Sequence, residues 1–360
     1  MSETLAGAGG GPTPAQEAVL RGLRAAEPSS RSGEELSNAL GVSRTQVWKH
    51  VEALRALGYR IDGEPGGGYR LAGVPDRLYP VELRRELETR WLGRTIHYFD
   101  TIDSTNRVAL ELARAGAEHG TAVIAEAQTA GRGRLGRSFF SPPYQNLYTS
   151  IVLRPSVSLA DAPTLILTAG VAVAEAVAAT LEKDDAVELK WPNDVLVGGL
   201  KTSGILMELG AEGSRVAFLV LGIGVNLNVD RNAFPEEFRA LATSLRSFRG
   251  ASVDRLAFVR RMYHGLEALL DAHATGGFEA VRPRFERRFA MAGRPVRVRD
   301  ATRPEAPDAE TAGVVEGIGA DGALLLRRED GTRARVVAGD VTIVKPPRGS
   351  ALRDGGGGSA

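Results

Sequence analysis

Apolar positions change period along this chain, from helical spacing near its start to strand-like alternation near its end. Ala15 to Ala26 repeats at helical spacing. Ser32-Gly-Glu-Glu35 forms a capping box that opens a second helix, ending at Gly41. Ser43-Arg-Thr-Gln46 is another box and opens a third helix, running through Leu57. The short Gly41-Val42-Ser43 turn joins the pair into a helix-turn-helix. Tyr59-Arg60-Ile61 and Gly68-Tyr69-Arg70-Leu71 then predict two strands around a turn at Asp62 to Gly67, which makes the motif a winged one. On the third helix Val47, Val51, Leu54 and Leu57 share the apolar side. Ser43, Arg44, Thr45, Gln46, Trp48, Lys49 and His50 are left for a partner. In this motif the early residues of that helix meet base edges in the major groove, so they are the predicted DNA contacts.

From Tyr79 to Arg288 the pattern mixes Val- and Ile-rich runs with amphipathic or Ala-rich ones. Strands are predicted at Thr95 to Asp100, Thr121 to Glu126, Asn146 to Arg154, Val187 to Trp191, Leu206 to Leu209 and Val216 to Asn226. Helices are predicted at Asn106 to Ala115, Pro163 to Leu181 and Val253 to Ala274. The alternation indicates an α/β or α+β domain. Gly293 to Val344 is strand-like throughout, with turn dipeptides at Asp321-Gly322 and Asp330-Gly331, and predicts a small β-barrel. Ala301 to Glu310 reads as a solvated loop within it. The expected organisation is a disordered tail (1–14), a winged helix-turn-helix (15–73), a central domain (79–288), a C-terminal domain (293–346) and a second tail (348–360).

Bulk composition narrows the chemistry. At 360 residues the chain is too long for one ordinary domain. Its net charge of +1 gives no global basic field, so any DNA contact must come from a local patch. The absence of cysteine excludes disulfides, thiolate zinc sites and cysteine nucleophiles. The five histidines show no metal-ligand spacing, and no metal site is expected. No apolar run reads as long enough to span a membrane, and the start lacks the features of a signal peptide, so a cytoplasmic protein is expected.

Gly131-Arg132-Gly133-Arg134-Leu135-Gly136-Arg137 is the most informative stretch. Glycine lets a backbone approach a ligand closely, and arginine offers a rigid fork of donors to carboxylate and phosphate oxygens. The stretch also fits G-x-G-x-x-G, but the following Ser138-Phe139-Phe140-Ser141-Pro142-Pro143 cannot open the long helix that a dinucleotide fold requires. Asp103-Ser104-Thr105-Asn106 precedes a helix, and helix capping is the favoured reading of its hydroxyls. Lys190-Trp191-Pro192-Asn193-Asp194 ends a strand in a carboxylate, a candidate for orienting an amine or a hydrated Mg²⁺. Lys201 follows the tight Gly198-Gly199 turn; it is either a solvent-exposed hairpin foot or a further positive charge for the arginine loop. Gly222-Ile-Gly224-Val-Asn226 ends another strand with small residues, through edge packing or to admit a ligand.

QTAGRGRLGRSFFSP, KWPNDVLV, LKTSGILMEL and GIGVNLN, in this order, resemble the biotin–protein ligases. With the winged helix in front, residues 15 to 345 resemble the bacterial ligases that also repress the biotin operon. The resemblance implies an α+β multidomain fold: winged helix-turn-helix, central ligase domain with a class II synthetase-like mixed sheet, and C-terminal SH3-like barrel. It implies a biotin pocket lined by Ser104, Thr105, Asn106 and Gln128, with Arg132, Gly133 and Arg134 on a loop that closes over biotin and its adenylate, and with Gly204. Lys201 falls on the family's essential lysine near the biotin carboxylate and α-phosphate. Asp194 falls on a carboxylate that helps position the acceptor lysine, so Lys201, Arg134 and Asp194 are the implied catalytic residues. Arg132, Arg134, Arg137, Lys201 and Asn226 are the implied nucleotide contacts. Position 135 is Leu where some relatives carry Arg. The implied ligands are ATP, Mg²⁺ and biotin. The implied partners are the biotin carboxyl carrier protein of acetyl-CoA carboxylase, operator DNA and a second copy of the chain in a ligand-promoted homodimer. A lipoate or octanoyl transferase relative, a sensor-repressor with a relic catalytic domain, and a ligase that keeps the winged helix without an operator are the alternatives.

Overall fold

The computed structural model describes residues 10–64, 67–300 and 310–343. Most of both expected tails, part of the Asp62 to Gly67 turn and nearly all of the Ala301 to Glu310 loop lie outside the described residues. The chain divides into two compact units, one through Phe289 and the other from Ala290.

The first unit begins with helices α1 (Pro14–Arg24), α2 (Gly33–Leu40) and α3 (Arg44–Ala56), then a hairpin of β1 (Arg60–Glu64) and β2 (Gly68–Gly73). The expected Ser32/Glu35 capping box is formed in both directions. Ser43 caps α3 through the Gln46 amide, but the Gln46 side chain lies 3.3 Å from His50 Nε2 instead of turning back to complete a box. Val47, Val51 and Leu54 are buried against α1 and α2, whereas Trp48 is 52% exposed on the outward face.

A seven-stranded mixed sheet follows. Its strands are β3 (Ile96–Ile102), β4 (Ala122–Gln128), β5 (Leu147–Leu153), β6 (Val187–Lys190), β7 (Asp194–Val197), β8 (Leu200–Glu212) and β9 (Arg215–Val225), in the order β3-β4-β5-β9-β8-β7-β6. Only the β3–β4 pair is parallel. The short helix α4 (Pro80–Arg85) leads into the sheet. Helix α5 (Thr105–Arg114) packs on one face, where Val108, Ala109 and Leu112 meet Val123, Val152 and Val220. Helix α6 (Pro163–Leu181) covers the other end of the sheet. Two short helices, α7 (Glu236–Arg239) and α8 (Leu245–Arg249), precede the long α9 (Arg255–Gly276), which packs along α6; α10 (Arg282–Glu286) completes the unit. Thr149 and Tyr263 share a buried hydrogen bond of 2.6 Å, which ties α9 to the face of β5 opposite Ser150.

Helix α6 corrects one expectation. Its 19 residues are long and apolar enough to cross a membrane, contrary to the sequence reading. Its apolar surface is spent inside the protein: 78% of its most apolar window is buried, against α9 and the β6–β8 end of the sheet. A helix apolar all round suits a core position as well as a bilayer.

A polar clamp joins the wing, the following linker and the sheet. Glu82 is buried and accepts from Arg24 at 2.6 Å and from the Tyr59 hydroxyl at 2.7 Å. Farther in, Arg255 and Glu126 are both fully buried and pair at 2.8 Å. Arg255 also reaches Asp76 at 2.9 Å, and Glu126 accepts the Leu78 amide at 2.8 Å. The linker backbone is thus pinned to β4 through two charges that satisfy each other.

In the second unit β10 (Pro295–Asp300), β11 (Glu310–Ile318), β12 (Leu324–Arg327), β13 (Arg333–Val336) and β14 (Gly339–Ile343) form an antiparallel sheet in the order β13-β12-β11-β10-β14. Val296, Val298, Val315, Ile318, Leu324 and Leu326 are among its buried side chains. Gly322 and Gly331 both have φ above 80°, as the expected turn dipeptides require.

Candidate active site

The site lies on the sheet face that carries α5. Strand register places Ser150 opposite Gly222 and Tyr148 opposite Gly224, while Gly224 also faces Gly204 across β8. Three glycines therefore floor one region of the face. A Cβ added at Gly222 would sit 1.9 Å from Asn106 Oδ1, and one at Gly224 would sit 2.6 Å from the Phe139 ring. The small residues of this segment thus make room for two side chains of the site, one from α5 and one from the end of the arginine loop.

Helix α5 opens at this floor. Ser104 occupies its N-cap position, but its side chain makes no capping hydrogen bond. Capping, the reading favoured from the chain, does not account for these hydroxyls. Thr105 donates its amide to Gln128 Oε1 at 2.9 Å, and its hydroxyl lies 3.1 Å from the same oxygen. Gln128 Nε2 donates to Ser141 Oγ at 3.1 Å. Ser150 Oγ lies 2.8 Å from Thr105 Oγ1 and 2.6 Å from Asn106 Oδ1. Asn106 Nδ2 donates to Glu208 Oε2 at 2.9 Å. Ser104, Thr105, Asn106 and Ser150 are all buried. Hydrogen bonding from Arg107, aided by the Ser104 amide, outweighs burial and holds the Asp103 carboxyl below its ordinary range, bracing the first turn.

The arginine loop closes on itself. Gly133 donates to Arg137 O at 2.7 Å, Arg137 to Arg134 O at 3.2 Å and Phe139 to Gly131 O at 2.9 Å. A single 3-10 turn, Arg134–Gly136, stands where a dinucleotide fold would need a long helix. Leu135 sits at its tip in the left-handed region (φ 56°), 56% exposed. Arg132 and Arg137 are exposed, whereas Arg134 is half-buried and donates to Asn193 Oδ1 at 3.2 Å. Asn193 in turn donates to Ile205 O on β8 at 2.9 Å. The loop, the Trp191-Pro192-Asn193 turn and β8 are thereby connected.

Lys201 Nζ lies 2.6 Å from Asp194 Oδ1. Its Nζ would also be 3.2 Å from a Cβ at Gly204, so the bare backbone there gives the lysine its path. Lys201 is thus more than an exposed hairpin foot. Thr105, Asn106, Gln128, Gly204, Lys201, Asp194 and Arg134 surround one stretch of the sheet. Asn226 is buried beside it, with its side chain donating to Thr243 O at 3.2 Å. The expected DNA contacts lie elsewhere, on α3, where Ser43, Arg44, Thr45 and Lys49 are exposed and Gln46 and His50 are half-buried. Sequence reading did not single out Ser150, Glu208 or Phe139. Ser150 follows Thr149 in a mostly apolar strand run and Glu208 sits in an ordinary Met-Glu-Leu stretch, so neither carries a local signal.

Residues 98–226 match the biotin/lipoate A/B protein ligase family, residues 15–70 an HTH domain and residues 292–344 the biotin protein ligase C-terminal domain. The bifunctional ligase/repressor BirA of Bacillus subtilis is 37% identical over 314 residues, covering 87% of this chain and 93% of that protein. The protein of the same name from Escherichia coli is 33% identical over 318 residues, with 87% and 92% covered. The solved structure of the biotin protein ligase from Aquifex aeolicus in complex with biotin and ATP superposes with a TM-score of 0.58 at 27% identity, over 70% of this chain and 100% of that one. Two relatives at 33–37% identity, each covering 87% of the chain, together with the three matched segments in chain order, show that this chain belongs to the biotin protein ligase family.

Proposed function

We propose that this chain activates biotin with MgATP to biotinyl-5′-adenylate and transfers the biotinyl group to a lysine of a biotin carboxyl carrier protein, that of acetyl-CoA carboxylase. The observation that carries this reading is the meeting of Lys201, Asp194 and the Arg134–Asn193 link with Thr105, Asn106 and Gln128 on one glycine-floored face.

The first step brings two anions together. Biotin's carboxylate oxygen attacks the α-phosphorus, and the bond to pyrophosphate breaks. Positive charge from Lys201, Arg132, Arg134 and Mg²⁺, the last arriving as part of the MgATP substrate, offsets the repulsion and stabilises the charged transition state. Lys201 exchanges Asp194 for the incoming anion. Closure of the arginine loop over the adenylate excludes water from a mixed anhydride that hydrolyses readily. In the second step the carrier's lysine amine attacks the acyl carbon and AMP leaves. Asp194, released from Lys201, then orients that amine. Ser104, Gly133 and Gly204 complete the biotin pocket in this reading, and Arg137 and Asn226 the nucleotide site.

The winged helix (15–73) extends the role to biotin-responsive repression, with the residues of α3 meeting operator DNA. Beyond the residues paired with β7, β8 leaves Leu206–Glu212 unpaired on that side, an edge that supports pairing with a second copy. The central domain (79–288) is read as a class II synthetase-like mixed sheet and the C-terminal one (293–346) as an SH3-like barrel; a cytoplasmic location belongs to the same reading. Labelled biotin, ATP, Mg²⁺ and a carrier domain test the activity. ATP-dependent transfer by the wild type that fails in Lys201→Ala supports it. No transfer by folded protein that still binds biotin favours a sensor-repressor.

A further inference from the structure

The hydrogen bonds around Asn106 lead to a carboxylate that the pocket itself does not require. Glu208 is half-buried on β8, next to the glycine floor, and accepts from Asn106 Nδ2 at 2.9 Å. An ionised carboxylate only accepts, so this contact fixes which end of the Asn106 amide faces β8. The other end, Oδ1, then faces Ser150 Oγ at 2.6 Å and can only accept from it. Ser150 has one proton. Its shorter contact commits that proton to Asn106, with Thr105 Oγ1 a second acceptor at 2.8 Å, and Thr105 gives its own proton to Gln128 Oε1 at 3.1 Å. One acceptor at the edge of the face thus sets the donor and acceptor sense of Asn106 and, through it, of Ser150. The glycine at 222 is what lets Asn106 reach this arrangement, since a Cβ there would collide with its Oδ1.

We propose that Glu208 is a positioning residue for biotin recognition, acting through Asn106 and Ser150. The inference rests on the assignment of Thr105 and Asn106 to the biotin pocket. Biotin's ureido ring presents two N–H donors and one carbonyl acceptor at fixed directions. A pocket whose amide and hydroxyls are locked in one sense matches that pattern. One free to flip would leave a buried group unpaired part of the time. Buried hydrogen-bonding sites discriminate strongly for this reason.

The test uses the full chain as wild type, Glu208→Ala and Glu208→Gln. Biotin affinity is measured by calorimetric titration, with KM for biotin, KM for ATP and kcat in adenylate formation, and Tm for each protein. Glu208→Ala is expected to raise Kd and KM for biotin about tenfold, the scale of one lost charge-assisted hydrogen bond. KM for ATP, kcat at saturating biotin and Tm are expected to stay near wild type. Glu208→Gln keeps a side-chain oxygen that accepts from Asn106 and is expected to restore most of the biotin affinity. A biotin KM in Glu208→Ala within twofold of wild type overturns the proposal. So does a parallel rise of both KM values with a fall in Tm, which marks general loss of structure, or a Gln variant no better than Ala. Failure of the biotin assignment itself is visible separately, because wild type would then show no biotin binding at all.

Discussion

Lys201 and Asp194 pair across the β7–β8 hairpin although register does not place them opposite each other. Asp194 faces Gly204, and Lys201 faces Leu196, with a bulge between Val195 and Leu196. The lysine reaches back along the strand, over the bare backbone of Gly204, to the carboxylate at 2.6 Å. The same charge is therefore neutralised in the free protein and available to an incoming anion. Lys201→Ala is expected to lower adenylate formation by about 10²–10³-fold. Because its side chain is 39% exposed, folding should persist. Near-normal turnover in this variant, by pyrophosphate release, would remove Lys201 from the mechanism. Asp194→Asn is expected to weaken carrier transfer more than adenylate formation, and single-turnover assays of the two steps separate the effects.

The glycine floor gives a second expectation. Gly222→Ala places a Cβ 1.9 Å from Asn106 Oδ1, closer than any van der Waals contact. Asn106 must leave its position, and its bonds to Ser150 and Glu208 go with it. KM for biotin should rise about tenfold or more. A crystal structure of the variant with Asn106 unmoved would contradict the steric argument.

The strong periodic elements were legible in the chain, and the weak ones were not. Helix α6 has the predicted bounds, because an uninterrupted Ala- and Val-rich run leaves no choice of ends. Strand β8 spans Leu200–Glu212 instead of the predicted Leu206 to Leu209, since Lys201, Gly204 and Gly210 blur its alternation. Strand β7, four residues directly after Pro192 and Asn193, carries too little pattern to be seen. The arginine loop stood out as chemistry, whereas the hydroxyls at the start of α5 read as caps and Lys201 was left open until the family resemblance gave both a role. The supporting side chains did not stand out. Ser150 and Glu208 acquire their roles only when β5, β8 and α5 meet, and no spacing within one segment encodes that meeting.

The Arg255–Glu126 pair sits at zero exposure and fastens the linker after the wing. Removing Glu126 takes away the buried partner of Arg255 and leaves it only the largely exposed Asp76 as a counter-charge. Glu126→Ala is expected to cost about 3–5 kcal/mol by urea denaturation. A loss below about 1 kcal/mol, the scale of an exposed pair, would mean that water reaches the site.

His97, His119 and His273 are each held neutral, because burial pushes their pKa below the ordinary 6.5. Their folded values lie below the unfolded one, so the unfolded chain takes up more protons as pH falls. The stability they carry is full above pH 6.5 and declines as pH drops toward the folded values. His273 is the cleanest probe, since its Nε2 lies 2.7 Å from Thr164 Oγ1 in the core. His273→Gln keeps a polar partner for Thr164 without a titrating proton. Its Tm should fall less steeply on acidification than that of the wild type, and an identical slope would exclude His273 from the acid response.

The surface of α3 completes the expectations. Arg44, Thr45 and Lys49 are exposed beside Trp48, while Val47 and Val51 anchor the helix beneath them. With a net charge of only +1, binding to DNA depends on this patch and not on the whole molecule. One winged helix binds weakly, so a two-fold operator requires two copies. Biotin and ATP together should therefore tighten binding to a palindromic site, and rising salt should weaken it. Lys49→Ala, if Lys49 meets a phosphate, should weaken all sequences alike and reduce the salt slope by about 1. Arg44→Ala, if Arg44 meets a base edge, should cost about 1–3 kcal/mol on the operator and little on random DNA. Mobility-shift titrations at several salt concentrations read both effects. Salt-insensitive binding, or no gain on adding biotin and ATP, would leave the ligase chemistry standing and remove the repressor from it.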